Sequence, residues 1–281
     1  MKNVQEIINS VEKLPPFPQV ALRVMEMVQD EDVSFGKIAE VVQYDQAITA
    51  NVLRVCNSPF FGLRRKISSV KEALVYMGQK YFMEVVVGMA SSQYFRQGQE
   101  GYDLAQGELW RHSVACAIAS RLLSRKLGRP EDQLLFTTAL LHDIGKVVLS
   151  HFVAEAFDEI RRRVEKGLSF LEAEEAVVGI DHATLGGKIA KRWAFPEEMT
   201  RAIVLHHRPE LAPEDDAITP LIYLADLLCL QMGIGTGADG LLYRAKEEVL
   251  RKFDLRERDL LEVMGELPAE MERAAEMIKL N

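Results

Sequence analysis

Apolar residues recur three and four positions apart along nearly the whole of this chain, the spacing of amphipathic helices. Strand-like alternation is missing, and no Asn-Gly or Asp-Gly turn separates β-branched runs. The pattern predicts an all-α fold. "LPPFPQ" (Leu14 to Gln19) is held extended by its prolines and leads into a helix running to about Val28. Ser34 is placed to cap a helix with Ile38, Val41 and Val42 on one face. Asp45 does the same for a helix striped by Ile48, Val52 and Val55. "NSPFFGL" breaks the period and is expected to bury two aromatics in a loop. "SVKEALVYMG" and "KYFMEVVVGMASSQYF" complete a first helical layer. The polar, glycine-bearing "RQGQEGYDLAQGE" (Arg96 to Glu108) then reads as a boundary. It divides the chain into an N-terminal helical subdomain, residues 1–100, and a helical bundle, residues 101–281.

In the second part, "LWRHSVACAIASRLLSRKLG" is a helix ended by Gly128 and Pro130. "LLFTTALLHDIGK" reads as the next helix, followed by "HFVAEAFDEIRRRVEKG", "FLEAEEAVVG" and "DHATLGGKIAKRWAF". "PEEMTRAIVLHHRP" opens with Pro196 at a favoured first-turn position, and "TPLIYLADLLCLQMG" opens in the same way. Two or three charged amphipathic helices fill Leu241 to Leu280. "GIGTG" (Gly233 to Gly237) has no strand before it, so it reads as a helix terminator and flexible connection rather than a nucleotide loop.

Against this regular pattern, certain polar residues fall where apolar ones belong. Asp226 is the only charge in "LIYLADLLCL" (Leu221 to Leu230), a helix apolar all round and therefore buried. An unpaired carboxylate there costs several kcal/mol (about that order in any buried site), so it needs a cation, a donor network or a metal. His112 continues the stripe of Cys116, Ala119 and Leu123. His142 continues that of Leu135 and Ala139, and Asp143 that of Phe136 and Leu140. Adjacent helical residues diverge by about 100°, so His142 and Asp143 can approach one ion from two sides. Lys146, three residues after Asp143, can hold a phosphate oxygen or pair with the carboxylate. His182 stands one turn before Gly186-Gly187, a costly glycine pair that implies close approach of another helix or of a ligand. His206 and His207 end "TRAIVLHH", where they can serve the helix dipole or supply metal-facing nitrogens. His151, in "LSHF", reads as ordinary surface.

Seven imidazole and carboxylate groups without thiolates suit zinc, iron, manganese or nickel. They are too many for one tetrahedral ion. A carboxylate shared between two ions is the economical arrangement, and paired ions are the usual apparatus for in-line attack on phosphate esters.

Composition narrows the function classes. The chain has 281 residues and a formal net charge of −8, which argues against a nucleic-acid-binding module. "LRRK" (Leu63 to Lys66) is a short basic exception, more often a solvated loop than a phosphate contact. Cys56, Cys116 and Cys229 are far apart and odd in number, and read as small core hydrophobes in a reducing compartment. "MKNVQEIINSVEK" lacks a signal-peptide apolar region, and no apolar run is long enough to cross a bilayer. A soluble, cytoplasmic protein without membrane contact is expected.

The order His112, then His142-Asp143 in "LLHDIGK", then Asp226 resembles the HD superfamily of metal-dependent phosphohydrolases, which are all-α bundles. His182 and the pair His206-His207 are similar to the extra ligands of the two-metal HD-GYP branch, which hydrolyses cyclic dinucleotides. That likeness implies that Asp143 bridges two metals and Lys146 contacts phosphate. The Gly-Tyr-Pro motif itself is absent; "RPELAPEDD" stands in its place. The opening, from "LPPFPQVALRVMEMVQ" through "NSPFFG" to "ALVYMG", is similar to the HDOD family, in which a helical subdomain precedes a diverged HD bundle. Members of that family are mostly signalling output modules, and many have lost the HD ligands. The set is complete here.

Three readings follow. One is a signal-transduction output protein with a retained metal centre of one or two divalent ions, working through a protein partner. Another is a metal-dependent phosphohydrolase for a nucleotide or cyclic dinucleotide, in which Asp143 and Lys146 are catalytic and Arg208 or Arg64 to Lys66 touch phosphate. The third is an iron-based sensor of oxygen or redox state, which has no sequence feature of its own.

Overall fold

The structure, a computed structural model, describes residues 4–30, 32–63, 65–129, 133–238 and 247–277. Arg64, Pro130 and residues 241–246 lie outside that set, so the expectations resting on them do too. The described residues are helical, with no named strand and one isolated bridge between Gln99 and Leu104. The chain forms two compact units, Met1–Pro15 with Tyr94–Leu267 and Pro16–Gln93 with Pro268–Asn281.

The helices are α1 (Val4–Lys13), α2 (Gln19–Val28), α3 (Phe35–Val42), α4 (Gln46–Cys56), α5 (Val70–Phe95), α6 (Glu108–Lys126) and α7 (Gln133–Leu141). They continue as α8 (Ile144–Glu165), α9 (Phe170–Val178), α10 (His182–Arg192), α11 (Glu197–Leu205), α12 (Ile218–Gln231), α13 (Glu247–Lys252) and α14 (Glu257–Met277).

In the second unit, α2 packs on α3. Ser34 and Asp45 cap α3 and α4 by accepting from the amides of Lys37 and Ile48. Each cap satisfies an amide that has no partner inside its helix. Gly78, at φ 76°, breaks α5 into two helical stretches, because few residues other than glycine adopt that backbone. The aromatics of "NSPFFGL" are half-buried in a short 3-10 turn, Pro59–Phe61, rather than buried. Two of them, Phe60 and Phe61, meet edge to face.

The first unit begins with α1, which buries Ile7 and Val11 and packs on α8 and α10. Arg192 donates to the carbonyls of Val11, Glu12 and Leu14 and so caps the end of α1. The body of the unit is a set of neighbouring pairs: α6 with α7 and α12, α8 with α9 and α10, and α10 with α11. Three glycines set the spacing of the α8, α10 and α11 contacts. A methyl on Gly145 would strike the His182 carbonyl, one on Gly186 would lie 2.9 Å from Ile203 Cγ2, and one on Gly187 would strike Val204. The Gly186-Gly187 pair thus serves close helix packing.

Two glycine-bearing segments, one read as a boundary and the other as a flexible connection, are packed into this unit. In residues 96–108, Gly101, Tyr102 and Leu104 are buried, and the Glu100–Tyr102 turn lies on α8. In "GIGTG", Gly235 sits at φ 62°, and a methyl there would come 2.7 Å from His112 Cβ; Ala238 N donates to the Tyr102 carbonyl (2.8 Å). Short side chains, not chain mobility, are what those glycines supply.

Candidate metal centre

"LLFTTALLHDIGK" is not one helix. It breaks at His142-Asp143, where α7 ends and α8 starts, with Asp143 at φ −94°, ψ 13°. The expected 100° divergence along a helix therefore does not describe the pair. The break instead turns His142 and Asp143 into the interior at a junction of two helices, where a backbone bend can aim both groups at one point. His112 arrives from α6, Asp226 from α12, His182 from the first turn of α10, and His206 and His207 from the end of α11. All seven are buried, at 0 to 8% exposure. The structure therefore brings together every residue that the sequence singles out as a candidate ligand.

Their geometry divides about Asp143. Its Oδ2 lies 3.4 Å from His142 Nε2 and 3.7 Å from His112 Nε2; its Oδ1 lies 3.6 Å from His182 Nε2 and 3.7 Å from His206 Nε2. On the Oδ2 side, Asp226 Oδ1 stands 3.0 Å from His112 Nε2 and 3.9 Å from His142 Nε2. On the Oδ1 side, His207 Nε2 meets His182 Nε2 at 3.0 Å. Most of these separations are too long for hydrogen bonds. They are close to the distance of about 3.4 Å between two ligands that each sit about 2.1 Å from one tetrahedral ion.

The other ring nitrogens fix the tautomers. Nδ1 of His112 donates to the Ile234 carbonyl (2.8 Å), that of His142 to Ala139 (2.7 Å), and that of His206 to Ile203 (2.7 Å). Nδ1 of His182 donates to Glu174 Oε2 (2.7 Å). Carbonyls and carboxylates only accept, so each Nδ1 carries the proton; the neutral rings of His142 and His206 turn the lone pair of Nε2 inward, while Nε2 of His112 donates to Asp226 Oδ1 (3.0 Å). The Nε2 atoms of His142 and His206 and Asp143 Oδ1 are buried without a hydrogen-bond partner. Orphaned acceptors gathered at one point call for a cation. The residues fit a metal.

Burial drives the His206 ring down to about 3, with the neighbouring His142 adding to the effect, so it is neutral and able to ligate. Burial also lowers His142 and His207. His112 behaves oppositely. Burial disfavours its charge, but the Asp226 hydrogen bond and the Asp226 and Asp143 charges outweigh that and lift it to about 9. Burial favours the neutral form of Asp143 as well, yet Lys146 and the surrounding imidazoles hold it ionised, well below the usual carboxylate range. Lys146 Nζ is 2.8 Å from Asp143 Oδ2 and 5.4 Å from the centre of the Tyr102 ring, so it pairs with the carboxylate.

Some of the surroundings went unread in the sequence. Glu174 accepts from His182 and from the Tyr102 hydroxyl. It continues the buried stripe of Leu171 and Val178 at helical spacing, a signal of the same kind that exposed Asp226. Cys116 lies 3.4 Å from His112 Nε2 and faces the cluster instead of serving only as core. Candidate ligand atoms of His112, Cys116, His142 and Asp226 form one group lying within 4.8 Å of one another, and those of Asp143, His182, His206 and His207 form another. Elsewhere, Arg208 pairs with Glu175, Arg65 with Glu72, and the exposed His151 with Glu155.

The HDOD-domain family model matches residues 14–209. An HDOD domain protein of unknown function from Geobacter sulfurreducens shares the fold over 99% of both chains, with a TM-score of 0.77 and 26% identity. A presumed phosphohydrolase from Shewanella amazonensis matches over 97% of both chains, with a TM-score of 0.70 and 20% identity. A presumed signal-transduction protein from Marinobacter aquaeolei matches 94% of this chain and 60% of its own, with a TM-score of 0.70 and 22% identity. In sequence, the chain is 22% identical over 219 residues to an uncharacterised protein of Treponema pallidum; that stretch is 76% of this chain and 41% of the relative. Among the described residues no helix is long and apolar enough to cross a membrane.

Proposed function

We propose that this chain, which belongs to the HDOD family, is a signal-transduction protein built around a dinuclear His/Asp metal centre. Asp143 with His112, His142 and Asp226 would hold one ion, and Asp143 with His182, His206 and His207 would hold the other. The observation that carries this reading is the division of histidines between the two oxygens of Asp143, with their tautomers fixed from behind. Bound there, divalent zinc, iron, manganese or nickel would supply Lewis-acid character. The chain's own contribution is to converge five chain segments on one point and exclude water from it. A protein partner, reached through changes in those segments, fits the output role of the family and a cytoplasmic setting.

A second reading, phosphohydrolysis of a nucleotide or cyclic dinucleotide, is favoured by Lys146. Its ammonium group beside the bridging carboxylate is where a phosphate oxygen would need a counter-charge. Against it stands the burial of every ligand, which leaves a phosphoester to reach the ions only if the cluster opens.

Elemental analysis of protein purified without chelator or nickel resin, beside His142→Ala, tests the centre. A transition metal in the wild type that is reduced in the variant is expected. Folded wild type that takes up no metal when supplied would sink the centre. Turnover of a phosphodiester, lost in Lys146→Ala with metal content kept, would move the conclusion to the second reading.

A further inference from the structure

We infer that Cys116 is a ligand of the metal on the Oδ2 side of Asp143, making that position a mixed thiolate, imidazole and carboxylate site. The inference rests on the metal centre proposed above and deepens it.

Cys116 stands one helical turn after His112 on α6, so both side chains leave the same face. Its residue is fully buried, and its sulfur lies 3.4 Å from His112 Nε2. Two ligands of one ion, a sulfur at about 2.3 Å and a nitrogen at about 2.1 Å, are separated by about 3.1 Å at a right angle and about 3.6 Å at the tetrahedral angle. The observed distance lies between the two. A core thiol with no other task would face apolar neighbours. This one is within 4.8 Å of three candidate ligand atoms, those of His112, His142 and Asp226.

A second observation points to the same place. His142 Nε2 is fully buried, has no hydrogen-bond partner and belongs to this group of atoms. A thiol hydrogen-bonded to His112 would leave that nitrogen unsatisfied, whereas one ion among the four groups satisfies all of them. Cys229, three residues after Asp226 on α12, hydrogen-bonds to Cys116, and in the metal-free protein burial and that contact keep Cys116 a neutral thiol. Coordination forms one metal–sulfur bond and releases the thiol proton to solvent.

The consequence is selectivity. Three histidines and a carboxylate oxygen on the Oδ1 side accept any of the borderline divalent ions. A thiolate on the Oδ2 side favours zinc or ferrous iron over manganese or magnesium. Mixed occupancy then becomes a built-in property of the centre.

The test is titration of metal-free, full-length protein with cobalt(II), followed by absorption spectroscopy. A sulfur-to-cobalt charge-transfer band in the near ultraviolet is expected. It should be lost in Cys116→Ser and kept in Cys229→Ser. Zinc-edge X-ray absorption on the unmodified protein gives an independent readout that needs no variant, with a zinc–sulfur shell near about 2.3 Å expected. Cobalt d–d bands without the charge-transfer band, or zinc without a sulfur shell, overturn the assignment of Cys116 and leave the metal centre standing. A band that persists in Cys116→Ser also overturns it. No uptake of either metal by folded protein overturns the centre itself.

Discussion

Around Asp143 Oδ2 stand His112, His142 and Asp226; around Oδ1 stand His182 and His206, with His207 against His182. The first flank has a carboxylate of its own, and the second has imidazoles alone. In the metal-free protein this difference puts His112 at about 9 and His206 at about 3, although both rings are fully buried. Burial discharges an imidazole unless an anion faces it, and Asp226 faces His112 at 3.0 Å. A proton on His112 thus occupies part of the first flank's place for an ion. On the second flank His206 presents a bare Nε2, while Glu174 raises His182, whose Nε2 meets His207. In the proposed centre, Asp143 would therefore serve two positions that accept metal by different routes.

The largest break of this comparison is removal of its hinge. Asp143→Asn is expected to lose both ions. It should also lower the stability of the metal-free protein by about 3–5 kcal/mol, because Lys146 keeps its charge at 3% exposure with the carboxylate gone. Metal content and a urea midpoint report the two effects. Retention of one full ion would show that Asp143 lies on one flank only.

Next in size is emptying one flank at a time. Asp226→Asn should cut the metal-to-protein ratio by about half and leave the Oδ1 side loaded, and His206→Asn should do the reverse. Two variants that lose metal in the same proportion and with the same ion preference would reduce the two flanks to one site.

The same asymmetry shows how far a sequence carries. Apart from Cys116, the residues proposed as ligands were readable because they fell on or beside apolar helix faces, as Asp226 does within "LIYLADLLCL". The all-α fold followed from the same period. The division into flanks was not readable, because it depends on the break at His142-Asp143. Periodicity ran straight across that junction, and both residues fit the stripe on either side of it. The packing of segments 96–108 and 233–237 was not readable for a related reason. Their glycines signal loops, but close approach of Tyr102 and His112 requires glycine just as a mobile chain would. Glu174 was hidden among its acidic neighbours in "EAEE", where charge suggested solvent although its register matched Leu171 and Val178.

Proton competition sharpens the comparison further. His112 sits above its unfolded value, so it stabilises the metal-free fold below pH 6.5, and that contribution fades as the pH rises through about 9. His206 sits below its unfolded value. It costs nothing above pH 6.5, and stability is lost as the pH falls towards about 3. A metal entering the first flank must displace the proton of His112. With the Cys116 thiol proton inferred above also leaving, its affinity there should rise about a hundredfold per pH unit, against about tenfold for the His112 proton alone. The second flank, measured in Asp226→Asn, should follow His206 and change far less. Titrations of the wild type and that variant at several pH values give both slopes, and equal slopes would remove the assigned difference.

The smallest expected effect comes from behind the second flank. Glu174 accepts from the His182 ring, from the His182 amide at 3.1 Å and from the Tyr102 hydroxyl. Three donors converge on two acceptor oxygens. Glu174→Gln keeps the shape but presents an amide donor to one of those three. With its oxygen on His182 and its NH2 donating to the Tyr102 hydroxyl, the amide keeps the contacts but removes the negative charge behind the His182 ring, and metal affinity on the Oδ1 side should fall about 10- to 100-fold, as for other supports behind a ligand. The Oδ2 side, whose rings rest on the carbonyls of Ile234 and Ala139, should keep its affinity. Competition titration against a chelator separates the two. An equal loss on both flanks would mean that Glu174 acts on the packing of α9 against α8 and not on His182, since only a general loosening reaches rings held by other segments.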